Sequence, residues 1–330
     1  MAFFNKRKSF WAYTAIFVLV CILGYSPFWT QGKSLVWKID GLGQYYTSFL
    51  YIGQYLRKYF FNCLRGNVAL PLFDISIGMG EDVIGTLNYY GFGDPLNILA
   101  VFATDQNGAY VFTGMYFLRL YLSGLCFRKY CSYFGLDETL SNAGALSYIF
   151  SGYALIGGAR YMQFLTPMIY LPLMLLGCER IFREKKTLLF TFSVAFAALC
   201  NFYFLYMTSL FLLVYCIVRC ISIYGIKQMP EILKMAVISI GCYLLGIMLA
   251  APILLPSINA YLNSCRNSPD LRGNLFYIGN YLLNKDKWSQ YIRGWNTKLA
   301  NNYWTGIPLL QGISLAGAVF TYKSKRNRQC

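Results

Sequence analysis

Apolar residues gather in long runs separated by short basic stretches, at about 10–30, 109–126, 139–158, 164–178, 187–201, 202–218, 235–256 and 303–321. A helix needs roughly 20 mostly apolar residues to cross a bilayer, so each run predicts a transmembrane helix. The runs at 164–178 and 187–201 are short, and such helices stand nearly upright or are shielded by neighbours. The first run follows Lys6-Arg7-Lys8 and has no small-residue cleavage site, which predicts an uncleaved anchor and not a signal peptide. The pattern is that of an all-α polytopic membrane protein with about eight transmembrane helices and one transmembrane domain over 1–330.

Two long segments break the rhythm, 31–108 and 257–302. In the first, Leu42, Tyr45, Phe49, Ile52, Leu56 and Tyr59/Phe60 recur every three or four positions, with Gln44, Thr47, Ser48, Gln54, Arg57 and Lys58 on the other face. This predicts an amphipathic helix lying in the membrane interface. Residues 91–103 are too short to span and read as a re-entrant or interfacial segment with Pro95 in its first turn. No internal repeat, heptad run or low-complexity tract is present.

Composition agrees: 57% of the chain is apolar, 18% aromatic and only 13% charged, too few charges for an ordinary soluble domain. The formal charge of +16 fits basic cytoplasmic loops better than nucleic-acid binding. With both termini placed in the cytoplasm, Lys/Arg density is about three times higher in the cytoplasmic stretches than in the outer ones. The long irregular segments then face outward, where loops of that length usually build a site. There is no histidine, so imidazole acid–base catalysis and imidazole metal sites are excluded. Cys21, Cys126, Cys178, Cys200, Cys216 and Cys242 lie in apolar runs without CxxC spacing and read as packing residues. Cys63 and Cys265 fall on the same predicted side, which leaves a disulfide between them open.

The first long segment carries the candidate chemistry. Asp40 precedes the amphipathic helix, either as its N-cap or as a carboxylate at the membrane surface that accepts a proton from a hydroxyl nucleophile. Gly78, Gly80, Gly91 and Gly93 allow sharp turns and close approach to a ligand. Glu81-Asp82 is an adjacent acid pair, and Asp94 precedes Pro95. Arg160 and Arg266 are cations on the outer side, able to meet phosphate or to snorkel to the interface. Arg119 falls midway along the second run, where a charge costs at least ~2.5–3.5 kcal/mol and requires a polar interior or an acidic partner. A divalent metal on Asp40 with Glu81, Asp82 or Asp94 is compatible with the residue types, and no spacing selects it.

The segments Asp40-Gly41-Leu42-Gly43-Gln44-Tyr45, Gly78-Met79-Gly80, Tyr90-Gly91-Phe92-Gly93-Asp94-Pro95-Leu96-Asn97, Pro252-Ile253-Leu254-Leu255-Pro256 and Ser264-Cys265-Arg266 together resemble the bacterial YfhO family of membrane proteins, of GT-C glycosyltransferase type. The resemblance implies a GT-C-like fold and transfer of a sugar from a polyprenyl-phosphate carrier to a cell-envelope polymer such as teichoic or lipoteichoic acid. It implies that Asp40 is the essential acid of the first outer loop, with Gln44, Tyr45, Glu81, Asp82, Asp94, Arg160, Arg266 and Arg119 as substrate-binding candidates. Family members are longer, so the chain is expected to be the N-terminal portion of one. A transporter or lipid-carrier flippase and a non-catalytic assembly subunit are the competing readings. A flippase is disfavoured because no related halves are visible.

Overall fold

The computed structural model describes residues 2–263, with side chains from residue 7. The first apolar run forms helix α1 (Ala2–Gly24), which ends at Tyr25. Pro27 then starts a separate short helix, α2 (Ser26–Thr30), because proline is accommodated in a first turn and not inside a helix. A π turn (Gly41–Tyr46) leads directly into α3 (Thr47–Leu64). Tyr45, Phe49, Ile52 and Tyr55 are buried, whereas Leu42 and Phe60 are exposed. The middle of the predicted face is therefore kept, with Leu56 packed on it as well, and it lies against the protein core. A two-residue antiparallel ladder, β1 (Phe73–Asp74) with β2 (Glu81–Asp82), precedes the short helix α4 (Val83–Leu87). The 3-10 helix Pro95–Phe102 packs on α3 and is the expected non-spanning segment with Pro95 in its first turn.

The later apolar runs form α5 (Gly108–Tyr133), α6 (Glu138–Ile149), α7 (Thr166–Glu184), α8 (Leu188–Cys200), α9 (Phe202–Tyr224) and α10 (Met229–Leu262). Among the described residues, four helical stretches are long and apolar enough to cross a membrane: Arg7–Gly24, Met162–Glu184, Phe202–Tyr224 and Ile226–Leu262. The run at 139–158 is not one helix. α6 has 12 residues, about 18 Å of rise, and is followed by a bend and a second π turn (Tyr153–Gly158). α8, with 13 residues, is also too short to span alone. The segment at 303–321, most of the 257–302 loop, Arg266 and Cys265 lie outside the described residues, and with Cys265 the Cys63 pairing.

α7 is the central helix, buried against α5, α8 and α9. α9 and α10 leave Leu213, Val214, Ile217, Val237, Leu244 and Met248 exposed, an apolar girdle suited to lipid, where helices satisfy their own backbone. Cys178 of α7 and Cys216 of α9 meet with sulfurs 3.4 Å apart as free thiols.

The helix ends differ in charge. At the C-terminal ends of α7 and α9, buried Glu179 accepts from Arg219 Nη2 at 2.8 Å, Arg183 Nε at 3.1 Å and the Tyr215 hydroxyl at 2.8 Å. Nearby in the bundle, Arg128 ties α5 to Ser9 of α1 and to Asn142 and Glu138 of α6. The first segment's Asp40 lies by the other end of α7, about 28 Å away along 19 helical residues.

Candidate functional site

Asp40 does not cap the helix it precedes: its backbone is already helical, and its carboxylate makes no capping bond. Instead Oδ1 accepts from Gln44 Nε2 at 3.3 Å and Oδ2 from the Tyr161 hydroxyl at 3.2 Å. The chain reaches this arrangement through Ile39, a β-branched residue at φ 61° that is 82% exposed. That left-handed conformation costs roughly 1–2 kcal/mol and, for a branched side chain, marks a strained turn. Asp40 and Arg160 each also lie by a π turn, Gly41–Tyr46 after Asp40 and Tyr153–Gly158 before Arg160. Such irregularities concentrate at functional sites.

Gly41 lets the two segments meet. A β-carbon there would sit 2.6 Å from the Trp37 Cβ and 3.4 Å from the Arg160 carbonyl oxygen. The Arg160 guanidinium lies over the Trp37 ring, 4.5 Å from its centroid, a cation–π contact. On the other side, Tyr45 packs on Tyr161 with centroids 4.8 Å apart and donates to the Tyr89 hydroxyl at 3.4 Å. The Tyr90 hydroxyl donates to Gln44 Oε1 at 2.9 Å, which orients the amide so that its nitrogen faces Asp40. Burial, then the bond to Asp40, pushes the Tyr161 hydroxyl above its ordinary pKa, so it remains a protonated donor. Burial, then the Tyr89 bond, raises Tyr45 as well.

The Tyr89-Tyr90 pair is fixed from the tops of α7, α8 and α9. Gln163 Nε2 donates to the Tyr90 carbonyl at 3.0 Å, and Asn201 Nδ2 to the Tyr89 carbonyl at 2.8 Å. Asn201 also caps α9 through its side-chain oxygen. Asn88 Nδ2 donates to the Leu199 carbonyl at 3.1 Å. Gly93 serves this protein–protein contact and not a ligand: a β-carbon there would fall 2.1 Å from the Leu199 oxygen. Gly93→Ala is therefore expected to destabilise by about 1–3 kcal/mol, measurable as a lower unfolding midpoint in detergent. A midpoint equal to wild type would show that the 88–97 segment does not sit against α8.

The other candidates lie elsewhere. Asp82 caps α4 through Gly85 N, and Glu81 is exposed in β2. Asp94 caps the Pro95–Phe102 helix through Leu96 N and forms a buried ion pair with Arg119 Nη2 at 2.8 Å. Thr166 donates to the same Asp94 oxygen at 2.8 Å, and Asn97 accepts from Arg119 at 2.7 Å. This supplies the partner that a mid-helix arginine requires, but Asp94 and Arg119 are bonded to each other in the interior and not gathered around Asp40. Asp74, not singled out in the sequence, accepts from Tyr51 and Ser76, which hold its carboxyl down at about 2. No cluster of three acid or cysteine ligands suited to a metal occurs among the described residues. The structure thus brings together Asp40, Gln44, Tyr45 and Arg160, and adds Trp37, Tyr89, Tyr90 and Tyr161. Tyr90 lay in a quoted motif, and the others carried no signal beyond being aromatic.

The family model for the bacterial membrane protein YfhO matches residues 13–324. The chain belongs to the YfhO family. It is similar to the Bacillus subtilis (strain 168) protein named Uncharacterized protein YfhO, at 26% identity over 232 residues, covering 65% of this chain and 25% of that protein. The aligned part of the chain thus spans about a quarter of that relative's length. No solved structure matches.

Proposed function

We propose that this YfhO-family chain is the membrane part of a GT-C-like glycosyltransferase that moves a sugar from a polyprenyl-phosphate carrier to an envelope polymer of teichoic or lipoteichoic acid type. The reading includes a multi-pass membrane domain with both termini in the cytoplasm. The observation that carries it is a single one: Asp40, half-buried, is held by Gln44 and Tyr161 beside Arg160 at the bundle end away from the basic Glu179 cluster. In the reaction, Asp40 takes the proton of the acceptor hydroxyl as its oxygen bonds to the anomeric carbon. The bond from that carbon to the phosphate oxygen breaks, and the electron pair leaves with the prenyl phosphate. Arg160 stabilises the departing charge. Tyr45, Tyr89 and Tyr90 offer ring faces and hydroxyls for sugar contacts. Asp94 and Arg119 support the site from below without touching substrate, and no metal is needed for the step as written.

Mass spectrometry of lipid-linked sugars and envelope polymers, in cells with and without the gene, tests this reading. Loss of one glycan modification, with build-up of its prenyl-linked donor, is expected. An unchanged glycan profile would falsify it.

A further inference from the structure

A cleft of about 330 Å³ opens beside the Arg160–Trp37 pair, with none of Tyr45, Tyr89, Tyr90 and Tyr161 in its lining. Phe28 and Val36, with Trp37, form one wall, and Leu155 and Ile156 the other; Arg160 is its only charged lining residue. Phe28, Leu155 and Trp37 are each more than a third exposed, so the cleft is open at the surface near the end of α2. Lys33 and Lys38, exposed and next to lining residues Ser34 and Trp37 in sequence, add positive charge without an acid in the lining.

We infer that this cleft holds the hydrocarbon next to the phosphate of a single-chain prenyl monophosphate, with the phosphate at Arg160. The inference rests on the proposed glycosyl transfer and adds where the carrier lies. Three features select this occupant. The walls are apolar, as a hydrocarbon requires, and the volume is at the small end for ligand sites, which suits one chain and not a diacyl lipid. The cation at one end complements a phosphate and pairs well with it through the guanidinium fork. Arg160 also borders the Asp40 site in the chain itself, since the next residue, Tyr161, donates its hydroxyl to Asp40, and a sugar carried on the phosphate then reaches Asp40 while the hydrocarbon chain remains in the cleft. The tyrosines around Asp40, which do not line the cleft, are then left for the acceptor.

The test uses the full chain in nanodiscs with a photoreactive prenyl monophosphate, and maps the label by mass spectrometry. Labelling of peptides spanning 34–37 and 155–160 is expected, competed by unlabelled prenyl monophosphate and not by the corresponding prenol or by phosphatidylglycerol. Ile156→Trp, which fills the cleft, is expected to lower retention of the probe at least tenfold. Leu213→Trp, in the separate apolar groove between α9 and α10, should leave it unchanged. Label concentrated on α9 and α10, or equal competition by phosphatidylglycerol, overturns the assignment, the latter making the cleft a general lipid site. If Ile156→Trp does not fold, the labelling map on wild type decides alone. Cleft labelling in a chain whose gene alters no glycan refutes the transferase reading and leaves the binding site standing, whereas glycan loss with label elsewhere does the reverse.

Discussion

Arg119→Met is expected to cost about 3–5 kcal/mol of stability, the price of leaving one member of a buried ion pair without its partner. Asp94 and Arg119 are almost wholly inaccessible, and the same guanidinium also binds Thr166 at 3.0 Å and Asn97 at 2.7 Å. Removing it strands a carboxylate and an amide oxygen where no water replaces the bonds. Arg119→Lys should rescue little, because one ammonium cannot reproduce the fork that reaches three side chains from α5 to the Pro95–Phe102 helix and α7. The double variant Asp94→Asn/Arg119→Met should lose clearly less than the sum of the two single changes, since the stranded charge is gone. Denaturation midpoints in mixed micelles give all four values. A single Arg119→Met change within about 0.5 kcal/mol of wild type would mean that the pair is not buried in the folded protein.

This pair shows which parts of the fold were legible in the sequence. A charge in the middle of an apolar run announces that it needs a partner, and Arg119 did so. Which acid answers depends on how the Pro95–Phe102 helix lies across α5, and hydropathy contains nothing about that crossing. The apolar runs themselves marked α1, α7, α9 and α10, because each buries or faces lipid along most of its length. The run at 139–158 failed because averaging over a window is blind to continuity: Ser151-Gly152 and Gly157-Gly158 break it into α6 and a π turn. Asp40 was visible as an acid at the start of a helix. Its true partner, Tyr161, is 121 positions away, and only the packing of the π turns around Gly41 brings the two together. The glycine at 93 was legible as a close approach, but the approaching group is the Leu199 carbonyl.

Those two bonds to Asp40 also define the change expected to have the largest effect on activity. Asp40→Asn should lower sugar transfer by at least ~10²-fold, the lower range for loss of a general base, while leaving the fold intact. The fold should tolerate it because Asp40 is only half-buried and caps no helix. An amide of the same shape retains one oxygen acceptor for Gln44 or Tyr161, but accepts no proton at neutral pH. Tyr161→Phe and Gln44→Leu each remove one orienting bond and should give smaller losses, seen in kcat more than in KM, since they act on the position of Asp40 and not on substrate contact. Arg160→Gln should instead weaken both donor retention and transfer. The measurement is transfer from a prenyl-phosphate sugar by purified membranes, read beside the unfolding midpoint of each variant. Full transfer by Asp40→Asn removes the base from the mechanism, and loss of transfer together with a lowered midpoint assigns Asp40 a structural role.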